Sequence, residues 1–183
     1  IKYVAQTGKP MIISTGMADA EEIREAIEVA REGGCKELAI LHCVSGYPAP
    51  AEDYNLRTLV DMQQKFGLIT GLSDHTIDNT TAITSVALGA SIIEKHVTLN
   101  NNLKGPDHKI SLNINEFKKY VNQIRKFESI LGMKQKKILK NEMDIKKMSR
   151  KSVVSKNFIK KGSVIKKKDI CFKRPGTGFN PIY

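Results

Sequence analysis

The stretch Leu68-Ile69-Thr70-Gly71-Leu72-Ser73-Asp74-His75-Thr76 decides how this chain folds. An apolar run ends abruptly in a serine, an acid and a histidine. A surface turn accounts for Ser73 and Asp74 but not for the histidine beside them. About twenty residues on, Ser91-Ile92-Ile93-Glu94-Lys95-His96 repeats the pattern. Both read as strands that deliver a polar tip, with histidine at each tip. Upstream, Pro10–Gly16 is an apolar run closed by Ser14-Thr15-Gly16, and Glu37–Val44 is another. The segments between carry helical spacing. Asp19–Glu32 has Ile23, Ala26, Ile27 and Ala30 on one face, a capping pair in Asp19 and Glu22, and Gly33-Gly34 at its end. Leu56–Phe66, Thr81–Leu88 and Phe117–Leu131 are the next three helices, and Ser91–Thr98 is the fourth strand.

Strands that are apolar almost throughout belong to a parallel sheet whose faces are covered, and helical crossovers between them make βα units. Four such units fit half of a (β/α)8 barrel or a small doubly wound sheet. No GxGxxG follows a strand, so the dinucleotide fingerprint is absent. The polar residues favour the barrel. Ser14-Thr15, His42 with Ser45, Ser73–His75 and Lys95-His96 all fall at strand C-terminal ends, which in a barrel surround one mouth.

The 183 residues suffice for one sizeable core with a small partner domain. No apolar run approaches the roughly 18 residues of a membrane span. Three scattered cysteines, Cys35, Cys43 and Cys171, argue for reduced thiols and a cytoplasmic protein. Ile1–Ala5 look like the end of a helix already under way, so a fragment is expected. The net charge of +11 is uneven: residues 134–183 hold 16 Lys and Arg against 3 acids, leaving 14 against 16 elsewhere. Lysines spread along an alternating pattern with few aromatics read as a solvated surface; no nucleic-acid partner is expected. The expected organisation is a barrel domain over 1–133, a charged linker over 134–147 and a small β-rich domain over 148–183. In that last part Lys151–Val154 and Val164-Ile165 read as short strands.

His75 and His96 end neighbouring strands, and adjacent strands lie about 4.8 Å apart. Two inward imidazoles there can share one divalent ion and leave positions for substrate. A core histidine satisfied by a carbonyl is the plainer reading for either one alone. His42 sits one step before Cys43, where alternation points it elsewhere, and His108 lies in a loop. Ser14 and Ser73 offer hydroxyls to a phosphate, although no Walker-type loop is present. Asp107, in Gly105-Pro106-Asp107, offers a carboxylate to sugar hydroxyls and is equally a turn residue.

Taken together, STGM at 14–17, HCVSGYPAPAEDYNL at 42–56, GLSDHT at 71–76, ALGASIIEKHVTL at 87–99, GPDHKISL at 105–112 and the RKSVV, IKKG and KRPG segments resemble the N-acylneuraminate (sialic acid) synthase family. The resemblance runs in order along the whole chain. It implies the second half of a (β/α)8 TIM barrel followed by part of an antifreeze-like (SAF) domain. It implies condensation of phosphoenolpyruvate with an N-acylmannosamine-type sugar, with a divalent ion, usually Mn²⁺. On that likeness His75 and His96 match metal ligands, and Ser14, Ser45 and Ser73 match phosphoenolpyruvate contacts. Tyr47, Asp107 and Arg174 match sugar contacts, Arg174 being offered to the partner's site in a domain-swapped homodimer. Ser45 stands where some members have Asn. Family segments that carry catalytic glutamates and phosphate-binding lysines have no counterpart here, so the catalytic residues are unassigned and the piece alone is expected to be inactive. A legionaminate or pseudaminate synthase, a related phospho-sugar aldol barrel, and a noncatalytic sugar- or polyanion-binding module remain the alternatives.

Overall fold

A computed structural model describes residues 1–46 and 48–182. The chain divides into two units, Ile1–Gly132 and Met133–Tyr183. In the first, a short helix α1 (Lys2–Ala5) precedes strand β1 (Met11–Ser14), helix α2 (Ala20–Glu32), β2 (Leu38–Cys43), α3 (Thr58–Phe66), β3 (Ile69–Asp74), α4 (Thr80–Ala87) and β4 (Ile92–Lys95). The four strands form one sheet in the order β1-β2-β3-β4, every neighbouring pair parallel.

The register pairs Ile12 with Ala39, Ala39 with Ile69, Gly71 with Ile92 and Ser73 with Glu94. Paired residues of a sheet share a face, and successive residues alternate. One face therefore carries Met11, Leu38, Ile40, Leu72, Ile93 and Lys95, and the other carries Ile12, Ser14, Leu41, Gly71, Ser73 and Glu94. The helices take the first face. Met11, Leu38 and Ile40 pack with Ile23, Ile27 and Ala30 of α2 and Met62 of α3, and Ile93 packs against Ala82 of α4 with Tyr120 and Ile124. A doubly wound sheet needs helices on both faces; in this unit the packed helices lie on one, as half a barrel requires. On the second face Ile12 and Ile69 are 56% and 57% exposed.

Local chemistry explains the element ends. Asp19 accepts from the Glu21 and Glu22 amides while Glu22 Oε2 accepts from the Asp19 amide at 2.9 Å, so the capping pair of α2 forms as expected. Gly67 ends α3 with φ +62°. Gly71 has a different reason: a Cβ there would lie 2.4 Å from the Ile92 carbonyl oxygen and 2.6 Å from Leu41 Cδ2. Only glycine lets β3 and β4 approach this closely.

Three sequence expectations are corrected. The single strand Ser91–Thr98 is broken at His96: β4 stops at Lys95, and β5 (Val97–Thr98) pairs with β6 (Leu112–Asn113) instead. The Leu112 amide donates to the His96 carbonyl at 3.0 Å, which takes the chain into that second ladder. The helix read from Phe117 is α5 (Ile114–Leu131), which starts earlier because Asn113 and Glu116 form a capping box. In the second unit, α6 (Met143–Ser149) is followed by β7 (Ser152–Ser155) and β8 (Ile170–Lys173), which are antiparallel. Val164-Ile165 is exposed and joins no strand; β8 takes that place because Val154 and Cys171 pair there. The buried Ser152 hydroxyl donates to the Pro175 carbonyl at 2.9 Å and accepts from the Gly178 amide at 2.8 Å, fixing the turn after β8.

Candidate active site

At the C-terminal tips of β3 and β4 the alternation separates two sets of polar side chains. Ser73, His75, Glu94 and His96 belong to the face away from the helices, whereas Asp74 and Lys95 belong to the helix face. His75 and His96 have ring centroids 5.3 Å apart with planes at 82°. The His75 ring is buried and precisely oriented. Its Nδ1 lies 2.8 Å from the Val44 carbonyl, and its amide donates to the Tyr54 hydroxyl at 2.6 Å. A carbonyl can only accept, so Nδ1 bears the proton and, in the neutral ring, Nε2 carries the lone pair. Ser73 Oγ stands 3.3 Å from that Nε2 and gives its own proton to Glu94 Oε1 at 2.7 Å.

This arrangement suits a divalent ion. A metal-binding imidazole typically donates its other N–H to a carbonyl or carboxylate, which fixes the tautomer, and His75 does so to Val44. His96 Nδ1 lies 3.8 Å from Asp107 Oδ2, a carboxylate well exposed to solvent. Among the described residues no group of three or more His, Cys, Asp or Glu side chains is gathered as an ion cage. The donor set is thus two imidazoles with carboxylates close by, which leaves coordination positions for oxygen ligands from water or substrate.

The helix-face side chains form a second, closed network. Asp74 Oδ2 accepts from Lys95 Nζ at 3.0 Å and from the Tyr120 hydroxyl at 2.7 Å. Asp74 Oδ1 accepts from the Thr76 amide at 3.0 Å and the Thr76 hydroxyl at 2.7 Å. Lys95 also donates to the Thr76 carbonyl, and its Nζ is 5.5 Å from the Tyr120 ring centroid. The side chains of Asp74 and Lys95 are 0% and 2% exposed. Burial, reinforced by the neighbouring Asp74 carboxylate, pushes the Tyr120 phenol well above its usual range, so it remains a donor. Sequence reading did not find this network. The signal was the alternation itself, which assigns Asp74 and Lys95 to the opposite side from the histidines.

The remaining expected site residues are placed unevenly. Ser14 is exposed at the tip of β1 on the same face as Ser73. Ser45 lies beside the turn after β1, its Oγ 3.1 Å from where a Gly16 Cβ would stand. Tyr47 falls outside the described residues. Arg174 belongs to the second unit, exposed directly after β8. His42 turns to the helix face, its Nε2 2.6 Å from the Tyr54 carbonyl, and His108 Nδ1 lies 2.7 Å from the Thr98 hydroxyl. Cys35, Cys43 and Cys171 are free, and Cys43 Sγ is 4.0 Å from His75 Nδ1. No helix among the described residues is long and apolar enough to cross a membrane.

Known proteins share this arrangement of strands. An uncharacterised protein of Methanocaldococcus jannaschii is 45% identical over 183 residues, which is all of this chain and 54% of that protein. The N,N'-diacetyllegionaminic acid synthase of Campylobacter jejuni is 41% identical across all of this chain and 55% of its own length. The chain thus spans about half the length of these relatives. Among solved structures, the N-acetylneuraminic acid (sialic acid) synthetase of Leptospira borgpetersenii, crystallised with citrate, superposes with a TM-score of 0.71 at 33% identity, over 79% of this chain and 50% of that one. The family model described as NeuB matches residues 1–136. With that match over most of its length, the chain belongs to the NeuB family.

Proposed function

We propose that this chain is the part of a nonulosonic (sialic-type) acid synthase that holds the metal and receives the acceptor sugar. The reaction is condensation of phosphoenolpyruvate with an N-acylmannosamine-type sugar. The observation that carries the reading is the His75–His96 pair, oriented by the Val44 carbonyl and bordered by Ser73 and Glu94, at the tips of two adjacent parallel strands. The synthase activities of the Campylobacter and Leptospira relatives support it.

In the proposed chemistry phosphoenolpyruvate C3 forms a bond to the open-chain sugar's aldehyde carbon, whose oxygen becomes a hydroxyl on taking a proton. Water adds at C2, and the C2–O bond to phosphate breaks, releasing inorganic phosphate. His75 and His96 would hold a divalent ion such as Mn²⁺, which when bound would supply Lewis-acid polarisation of the aldehyde. Ser14 presents its hydroxyl on the same face of the sheet as Ser73, where it would donate to phosphate oxygens as charge develops; Ser73 would do the same once its proton turns from Glu94 to the phosphate. Ser45 extends that set beside the turn after β1. Asp107, whose carboxylate is exposed near His96, accepts from sugar hydroxyls, and Tyr47 is assigned to the same acceptor by its place in the family pattern. Arg174 is assigned to the N-acyl group of the sugar in a partner's site within a domain-swapped homodimer. An arginine suits that task because its planar fork addresses carbonyl and carboxylate oxygens. A legionaminate-type acceptor is favoured by the 41% identity to the Campylobacter enzyme.

The test is an assay of the intact protein with phosphoenolpyruvate, Mn²⁺ and each of N-acetylmannosamine and its diacetylated 2,4-diamino analogue, following phosphate release and nonulosonic acid formation. Product with one of these sugars, lost in His75→Ala, is the expected result. Phosphate release independent of any sugar defeats the condensation reading, and binding without any turnover defeats it in favour of a noncatalytic module.

A further inference from the structure

The buried Asp74–Lys95 pair sits in a place that stability alone does not explain. A buried ion pair loses hydration on both partners, and replacing one by apolar residues of similar volume is often neutral or stabilising. Here the carboxylate accepts four hydrogen bonds, from Lys95, Tyr120 and twice from Thr76. The ammonium reaches both Asp74 and the Thr76 carbonyl. The two side chains are opposite each other in the β3–β4 register. Each is the residue immediately before a candidate ligand: Asp74 before His75, Lys95 before His96.

That position has a consequence through the sheet period. A one-residue slip between β3 and β4 moves every side chain of the slipped strand to the other face. It would bring one imidazole among the helices and leave a charge on the opposite face without its partner. The pair makes that slip costly, because either charge left alone in the apolar layer meets the full desolvation penalty. Tyr120 extends the lock to α5, which packs over both strand tips. Gly71, at the base of the same pairing, permits the close approach but specifies nothing about side-chain pairing.

We propose that Asp74, Lys95 and Tyr120 are positioning residues that lock the β3–β4 register and thereby hold His75 and His96 as a pair. They touch neither substrate nor ion and act through the backbone from the opposite face. The part of the test that uses a metal rests on the proposed reading of the two histidines; the part that uses the imidazole proton does not.

The experiment compares the intact protein with Asp74→Asn/Lys95→Met, which removes both charges without leaving either one buried alone, and with Tyr120→Phe, which deletes one hydroxyl. Two readouts are taken on each: the hydrogen-exchange rate of the His75 Nδ1 proton by NMR in metal-free protein, and the dissociation constant for Co²⁺ from its visible absorption. The expected result is faster exchange at His75 with Co²⁺ binding about ten- to a hundredfold weaker in the double variant, as for loss of an outer-shell support. Circular dichroism and Tm should change little, and Tyr120→Phe should give a smaller effect in the same direction. Unchanged exchange and affinity in a folded variant overturn the proposal, as does altered exchange with unchanged Co²⁺ affinity. If the parent binds no Co²⁺ but the double variant still loses protection at His75, the metal reading falls and the positioning role stands. Should the double variant fail to fold, Tyr120→Phe decides by the same two readouts.

Discussion

Ser73 donates its hydroxyl proton to Glu94 Oε1 at 2.7 Å across a register pair of β3 and β4. The direction of that bond matters for His75, whose Nε2 faces the same serine oxygen at 3.3 Å. With the serine proton committed to Glu94, the region between the ring and the hydroxyl is rich in lone pairs, and a cation is favoured there. Glu94→Gln keeps a hydrogen-bond acceptor for Ser73 but removes the charge. Two unit charges about 4 Å apart interact by roughly 1 kcal/mol even in bulk water. Co²⁺ affinity should therefore fall by about fivefold or more at low ionic strength, with a smaller difference in 0.5 M salt because exposed charges are screened, about 10 Å at 0.1 M. An unchanged dissociation constant at both salt concentrations defeats an electrostatic role for Glu94.

Gly71→Ala tests the close approach of the two strands. The added methyl would meet the Ile92 carbonyl oxygen at 2.4 Å, and backbone cannot move aside as a side-chain end can. Overpacking of this kind costs about 1–3 kcal/mol, and the upper end is expected here. Chemical denaturation should show that loss with an unchanged m-value. A variant as stable as the parent contradicts the tight β3–β4 spacing.

The sheet was legible in the sequence because it obeys strong rules. Four apolar runs separated by helical spacing leave few arrangements, and the polar tips at Ser73–His75 and Lys95-His96 mark one end of the strands. The capping pair Asp19–Glu22 was readable for the same local reason. What escaped was set by tertiary context. His96 interrupts its strand because Leu112, sixteen residues on, takes its carbonyl. Val164-Ile165 has the composition of a strand, yet β7 pairs with β8 in its place. At the candidate site, the histidines announced themselves by position, whereas the service of Tyr54 to His75 spans 21 residues. Tyr120 reaches Asp74 over 46, and no local pattern encodes either contact.

Tyr120 should be silent in an alkaline titration of the folded protein. Its phenol is held above its ordinary value first by burial and then by the adjacent Asp74 carboxylate. In the unfolded chain it ionises near 10.0, so folded stability contributed by this group is complete below that pH and declines as pH rises above it. Tyrosinate absorbance at 295 nm, followed in native protein, should lose no amplitude near pH 10 in Tyr120→Phe. The same substitution should also reduce the steepness with which stability falls above pH 10. A missing tyrosine's worth of absorbance in the native titration near pH 10 shows that the phenol is not shielded.

Arg174 supplies the sharpest division between an enzyme and a basic binding surface. The second unit is rich in lysine, and a pocket of about 420 Å³ within it is lined by Lys146, Lys147, Arg150 and Lys151 with Asp144. If the unit binds polyanions nonspecifically, each exposed cation counts about equally and the effect fades with salt. The proposed role is different, because an acyl carbonyl or carboxylate engaged by a planar fork is lost when the fork becomes a point charge. Arg174→Lys, which keeps the charge, should therefore raise the sugar KM or lower kcat by about tenfold, roughly the 1.4 kcal/mol that one charged hydrogen bond can supply. The KM for phosphoenolpyruvate should change little. Lys166→Ala, which removes a charge from an exposed position of the same unit, should leave both constants near the parent values. The comparison is made by steady-state kinetics of the intact protein at two salt concentrations. Equal losses from the two substitutions, disappearing together at high salt, would remove Arg174 from the proposed acceptor site.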